Sequence, residues 1–455
     1  MMHSLRIKGG KVFYHNSWLQ TPRLQFERAR GRAYFSRLGE LTGKIGILKA
    51  ITAMTRKIRL AGLNQYNSGQ ANTAIGIIPD GRLWALHEAS YPFEFRLTEQ
   101  GGISSVGYET AGGKLTCAVS AHPKVDISTQ ETFFHSYDPS GGRSGTQFLL
   151  YGHFDAAGAL RTLINLEVRS SSFSHDMLLS ENFAIILDSS VRFDPAGILD
   201  GSMFSFDAAH RTRLAVIPRN ASSIRDVRWF ETPRSLAWVH PLHAWEEDGG
   251  RTLVLWAPLG FEAPRTGGIL DGCCDLWYMG EIRLNLRSTT PLSTDVEIRL
   301  IDEKAQHHGE FSRMRDDLVG RGFARYGYTA LANSTTRKDF DFVGFTKWDM
   351  LEKAVAAELL LPPGWTGGEP VFIPSAASAQ AGLSPPPSDD GYLANFMYGP
   401  DPHSTDFVLY DAKTFSAEPV ARLRVPRRVP VGFHGSWLSR EALARHTAHV
   451  APEAS

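Results

Sequence analysis

From about Ala71 onward the chain alternates short apolar runs with polar turn clusters. TAIGII is followed by Pro79-Asp80-Gly81 and RLWAL, and TFFHSY by DPSGG and TQFLLYGHF. FAIIL, TRLAVI, WVHPLHAW and RTLVLWA come next, the last two separated by EDGG, and DFVLYDAK and ARLRV close the series. Short runs of aliphatic, β-branched and aromatic residues bounded by Gly, Pro, Asp and Ser predict strands joined by tight turns. No βαβ alternation interrupts them, so the expected fold is all-β: a sandwich, barrel or propeller. No strict repeat period is visible, which disfavours WD40 or kelch arrays and leaves a large propeller or closed barrel with non-identical blades. The opening MMHSLRIKGGKVFYH reads as strand, turn, strand around Gly9-Gly10.

Two segments carry a helical pattern. Gly43 to Leu63 (43–63) places Ile47, Leu48, Ile51, Met54 and Ile58 near one face, with Lys44, Lys49, Arg56, Lys57 and Arg59 around the other. Such a basic amphipathic helix is either a surface helix packed on the β core or an interfacial membrane helix, since cationic flanks and an aliphatic face suit a bilayer surface. Ser439 to His446 predicts a short terminal helix, with the residues beyond it frayed.

Composition narrows the function classes. Lys+Arg and Asp+Glu both number 48, so the chain lacks the basic excess of a nucleic-acid surface, and no nucleic-acid partner is expected. Three cysteines, two of them adjacent at Cys273 and Cys274, build neither a disulfide framework nor a CxxC zinc site and point to a reducing compartment. No apolar run reaches the ~18 residues of a membrane span, and the N-terminus lacks the apolar stretch of a secretory signal. The 16 histidines mean that any metal chemistry has imidazole to use and almost no thiolate.

Four histidines sit in motif-like settings: AHPKVD with His122, SHDMLLSENF with His175, HPLHAWEE with His240, and VPVGFHGSW with His434. No pair has the i, i+4 spacing of a helical zinc motif, and His240 and His243 would face opposite ways in a strand. Residues so dispersed can share one metal only if separate strands or loops deliver them, as the blades of a propeller do around its axis. Taken singly, each is more simply a satisfied core or surface imidazole.

These four phrases occur in the order of the iron-ligand motifs of the carotenoid cleavage oxygenases, and the chain resembles that family over nearly its whole length. Asn72-Thr73-Ala74 with Leu83-Trp84-Ala85-Leu86-His87-Glu88, Trp229-Phe230-Glu231, Gly368-Glu369-Pro370-Val371-Phe372-Ile373-Pro374, Asp389-Asp390-Gly391-Tyr392 and Asp411-Ala412-Lys413-Thr414 are similar to further family signatures. The resemblance implies a seven-bladed β-propeller with a helical and loop cap over an axial iron site. One domain would span 1–455, its first blade incomplete, because the family's "fDGDGM" motif would precede Met1. It implies that His122, His175, His240 and His434 bind one non-haem Fe(II), and that Glu88, Glu310 and Glu369 hydrogen-bond the far nitrogens of three of them. A carboxylate there fixes the tautomer and raises ligand basicity.

The activity so implied is O2-dependent scission of one carbon–carbon double bond of a carotenoid or apocarotenoid into two carbonyl products, in a long apolar tunnel. Helix 43–63 would then dock on a membrane or lipid droplet, making the protein cytoplasmic and peripherally membrane-associated, or plastidic if a transit peptide precedes it. Two departures matter. His243 stands where the third motif, HxxNAwE, has Asn, and His87 stands where stilbene-cleaving members carry Lys. Stilbene cleavage, isomerohydrolase chemistry on the same iron site and a non-catalytic carotenoid-binding propeller are the alternatives.

Overall fold

The computed structural model describes residues 1–35, 63–98, 101–194, 204–262, 276–288, 290, 292–334, 341–377, 386–401 and 403–450. The amphipathic helix expected at 43–63 lies outside the described residues, apart from Leu63.

Hydrophobic runs that alternate nothing polar must be covered on both faces, and stacked sheets achieve this. Blade 1 holds β3 (Ala74–Ile77), β4 (Leu83–Leu86), β5 (Phe93–Leu97) and β6 (Ile103–Tyr108); blade 2 holds β7 (Lys124–Asp126), β8 (Glu131–Tyr137), β9 (Leu149–Phe154) and β10 (Leu160–Asn165). Blade 3 is β11 (Leu178–Leu179), β12 (Phe183–Asp188), β15 (Arg213–Pro218) and β16 (Arg228–Glu231), extended by β20 (Leu292–Ser293) in parallel; β13 (Val191–Phe193) and β14 (Phe204–Phe206) form a hairpin beside it. Blade 4 comprises β17 (His243–Glu247), β18 (Thr252–Gly260), β19 (Trp277–Asn285) and β21 (Val296–Leu300). β22 (Gly309–Arg313), β23 (Tyr326–Ala332), β24 (Phe342–Asp349) and β25 (Ala354–Leu360) make blade 5; β26 (Val371–Pro374), β27 (Gly391–Tyr398), β28 (Thr405–Asp411) and β29 (Ala421–Arg424) make blade 6.

Side chains alternate between the two faces of a strand, so each blade feeds two cores. On β12, Ile185 and Leu187 pack with Leu253 and Leu255 of blade 4, whereas Ala184 and Ile186 pack with Phe133 and Tyr151 of blade 2. The same arrangement joins blades 1 and 2 through Trp84 and Phe154, 4 and 5 through Trp256 and Trp348, and 5 and 6 through Phe345 and Val408. Charged or polar staples reinforce these boundaries: Arg82 to the Gly158 carbonyl, Asp126 to Arg219 at 2.6 Å, Glu246 to Ser180 Oγ at 2.6 Å, Glu281 to Lys353 at 2.7 Å, and Lys347 to Asp389 at 2.9 Å.

The result is an all-β propeller, with one correction. Among the described residues there are six blades of four or five strands, not seven. Among the described residues, the strands between blades 6 and 1 are those of the hairpin β1 (Met2–Lys8) and β2 (Lys11–Ser17), turned by Gly9 and Gly10 at positive φ. Leu5 and Tyr14 pack on the core of blade 6 and Met2 on that of blade 1. The face that carries Met2 also carries Arg6 across from Phe13 and Lys8 across from Lys11, and no further strand pairs with the hairpin among the described residues.

Other expectations shift locally. WVHPLHAW is strand only from His243, because Pro241 offers no backbone N–H to a ladder. Helix α1 (Pro22–Ala29) escaped the pattern reading although Thr21 caps it, accepting from the Leu24 N–H, with Pro at its first position. The terminal helix, α2 (Arg440–Val450), continues four residues past His446. It is anchored on blade 1: His446 Nδ1 lies 2.7 Å from the Gly81 carbonyl, and the Leu97 N–H donates to Nε2 at 3.0 Å. Gly81 is required there, since at φ +95° a Cβ would sit 2.6 Å from the Arg445 carbonyl oxygen. No helix among the described residues is long and apolar enough to cross a membrane.

Candidate metal centre

Blade entries deliver the candidate residues to one place. His122, His175 and His240 lie in the loops that lead into β7, β11 and β17; Glu310 lies on β22; Glu369 precedes β26; Glu88 follows β4; and His434 lies between β29 and α2. The four histidines form one group whose ligand atoms all lie within 4.8 Å of one another. His122 Nε2 is 3.1 Å from His175 Nε2, which is 3.2 Å from His240 Nε2. His434 brings its ring within 4.5 Å of His122 and 4.8 Å of His240, centroid to centroid.

The carboxyls lie behind the rings. Glu369 Oε1 is 2.9 Å from His434 Nδ1, Glu88 Oε1 is 3.2 Å from His175 Nδ1, and Glu310 Oε2 contacts His240 Nδ1 closely. Each glutamate is itself held by a backbone N–H: Ala121 for Glu88, His240 for Glu310, and Gly435 for Glu369. A proton on Nδ1 facing a carboxylate turns the Nε2 lone pair inward. Lone pairs facing each other at 3.1–3.2 Å repel unless a proton or cation lies between them. Burial, followed by repulsion from neighbouring imidazoles, keeps His122, His175 and His240 well below the usual histidine range, so these rings are neutral and able to ligate. The donor set therefore fits a metal ion.

The carboxyls point the same way. Burial pushes Glu88 up to about 8 and Glu310 up to about 7. Burial also raises Glu369, but the Arg313 guanidinium at 3.6 Å, with the contacts from His434 and Gly435, outweighs it and holds that carboxyl at about 2. A divalent cation among the imidazoles would favour ionisation of the first two, which have no cation within ion-pairing reach among the described residues other than the histidines.

Several neighbours were not singled out from the sequence. Arg313 faces the site because β22 bulges: Glu310 pairs with Ala330 but Arg313 with Tyr328, so three steps on one strand oppose two on the other, with Phe311 at φ +56° absorbing the extra residue. Without that bulge, Glu310 and Arg313 would point to opposite faces. Phe173 stacks on His175 with centroids 5.4 Å apart, and Phe311 lies 5.1 Å from both His240 and His434. The Tyr137 hydroxyl bonds Glu88. Lys124 and Asp176 were legible as members of their motifs, but nothing in the linear order says that they meet. His243 lies outside the group: its Nε2 is 3.2 Å from the Gly322 carbonyl and its ring stacks on Trp245.

Comparison with known proteins finds relatives along nearly the whole chain. The family model described as retinal pigment epithelial membrane protein (RPE65) matches residues 1–439. The chain is 29% identical over 460 residues to carotenoid 9,10(9',10')-cleavage dioxygenase 1 of Phaseolus vulgaris, covering 97% of this chain and 80% of the relative. It is 30% identical over 386 residues to the chromoplastic zeaxanthin 7,8(7',8')-cleavage dioxygenase of Crocus sativus, covering 82% and 96%. Among solved structures, the lignostilbene dioxygenase of Pseudomonas brassicacearum superposes with a TM-score of 0.73 at 21% identity, covering 95% of this chain and 85% of that one, which supports the propeller fold.

Proposed function

Since the chain belongs to the retinal pigment epithelial membrane protein family, whose relatives include carotenoid cleavage dioxygenases, we propose that it is a non-haem Fe(II) dioxygenase that splits one carbon–carbon double bond of a carotenoid or apocarotenoid. His122, His175, His240 and His434 hold the iron, and Glu88, Glu310 and Glu369 orient three of the rings. One O2 is consumed and each product carbonyl receives one of its atoms. The observation that carries this reading is the convergence of four imidazoles within 4.8 Å, three of them backed by buried carboxyls.

Iron(II) bound there supplies the binding and activation of O2. The remaining work falls to the polypeptide. Neutral ligands leave the ion its full charge, the glutamates fix each Nδ1–H, and the rings of Phe173 and Phe311 make an apolar wall on two sides of the imidazole group. On this reading the chain acts as one propeller domain over 1–455 that takes its substrate from a membrane or lipid-droplet surface. The two plant relatives are named for different bonds, 9,10 and 7,8, so their names do not fix the position of cleavage for this chain.

The test is incubation of ferrous-loaded protein with carotenoids, apocarotenals and stilbenes, reading product masses. Two carbonyl fragments from one carotenoid are expected, with about one iron per chain that His240→Ala loses. A single isomerised alcohol would move the protein to isomerohydrolase chemistry, fragments from stilbenes alone would make it a stilbene oxygenase, and folded protein that takes up no iron would remove the enzymatic reading.

A further inference from the structure

Of the four imidazoles, His122 is the one without a carboxylate in hydrogen-bonding distance of Nδ1. A carboxylate lies close by: Asp176 Oδ2 is 4.0 Å from that nitrogen. It is turned elsewhere. Lys124 Nζ reaches Asp176 Oδ1 at 2.7 Å and Oδ2 at 2.9 Å, and the Met177 N–H donates to Oδ1 at 2.6 Å. The backbone is held as well, since Trp238 Nε1 donates to the Asp176 carbonyl at 3.3 Å. The Asp176 side chain is 4% exposed.

The two partners come from different blades. Lys124 opens β7 of blade 2, two residues beyond His122; Asp176 directly follows His175 on the way into β11 of blade 3. We propose that the Lys124–Asp176 ion pair is a positioning device of the metal centre: it clamps the segment carrying His122 to the segment carrying His175, and keeps the nearest carboxylate off His122 Nδ1. The contact it governs is the 3.1 Å approach of the two Nε2 atoms. With the clamp intact, His122 is oriented by its backbone and its neighbours alone, and it is the least electron-rich of the four donors, because no carboxylate polarises its N–H. Substituting Lys124 loosens the inter-blade spacing. Neither side chain belongs to the four-histidine group, and the pair acts through His122 and His175.

This inference rests on the metal reading above. The measurement is iron(II) affinity of the full chain, titrated anaerobically against a chelator, with the visible bands of cobalt(II) reporting ligand arrangement and thermal unfolding of the metal-free protein recorded alongside. Lys124→Met is expected to weaken iron binding about 10- to 100-fold and to change the cobalt bands. Asp176→Asn should do the same, the double variant should be no worse than either single one, and Lys124→Arg should recover most of the loss. A structural role alone would lower the unfolding temperature while leaving affinity per folded chain and the cobalt bands as in wild type. Binding by Lys124→Met within about twofold of wild type overturns the clamp; if that variant does not fold, Asp176→Asn decides by the same criterion. A wild-type chain that binds neither iron nor cobalt overturns the metal reading and the clamp together.

Discussion

His240 and His243 are both buried, three residues apart in one motif, and have different roles. His240 stands in the loop before β17, with Glu310 at its Nδ1 and its Nε2 among the other imidazoles. His243 is the first residue of the strand and spends its ring on the Gly322 carbonyl and Trp245. Residue type is the same; the backbone on either side of Pro241 decides. Glu310→Gln should therefore lower metal affinity about 10- to 100-fold, measured by chelator competition, because the amide no longer holds Nδ1–H as a carboxylate does. His243→Asn should leave metal content unchanged and cost about 1–3 kcal/mol in denaturant unfolding, the scale of a lost buried hydrogen bond. The candidate ligands could be listed from motifs, but the partnership of Arg313 with Glu369 could not, since strict strand alternation misplaces Arg313 and only the bulge at Phe311 corrects it.

Among the elements, strands whose apolar runs are sandwiched between blades were readable, FAIIL and TRLAVI for example, because burial on both faces leaves no polar interruption. Elements held by one or two specific contacts were less so: α1 is one short stretch dependent on Thr21. The DDG and DAK phrases gain a meaning only from packing. Lys347 of β24, 5% exposed, reaches both Asp389 and the Ala412 carbonyl and so staples blade 5 to blade 6. Lys347→Met leaves Asp389 without that cation, and a loss of about 3 kcal/mol is expected in urea unfolding. Helix α2 carries a pH dependence. Burial, then the nearby His449 and Arg96, lowers the His446 pKa against the opposing pull of the Gly81 carbonyl and Glu94. Protonating Nε2 also removes the acceptor for the Leu97 N–H. The unfolded ring takes its proton near ~6.5, before the folded one does, so the docking energy is complete above about pH 7 and falls as the pH drops through 6.5 toward the lowered value. Amide exchange of residues 440–450 should accordingly accelerate relative to blade 1 between about pH 7 and 5.5, and His446→Gln should flatten that response.

At the scale of the molecule, the described residues form six blades of four or five strands and one two-stranded hairpin, whose strands pair with no third strand among them. An isolated pair of strands is marginal without packing, and this pair meets the neighbouring blades through a few side chains, Leu5 and Tyr14 on blade 6 and Met2 on blade 1. The amides of residues 2–17 should exchange faster than those of β12, β18 or β27 by mass spectrometry, and equal protection would contradict the open edge. By itself, the sequence determined the strand-rich architecture and the zero net charge, and through its resemblance to a family it singled out the seven metal-site candidates, because burial patterns and motifs are local and survive in linear order. Tertiary structure decided the rest: six blades plus a hairpin, the loop that carries His240, the facing of Arg313, and the meeting of Lys124 with Asp176. Those depend on which segments a closed ring brings side by side, and neighbours 52 to 361 residues apart leave no mark on the chain between them.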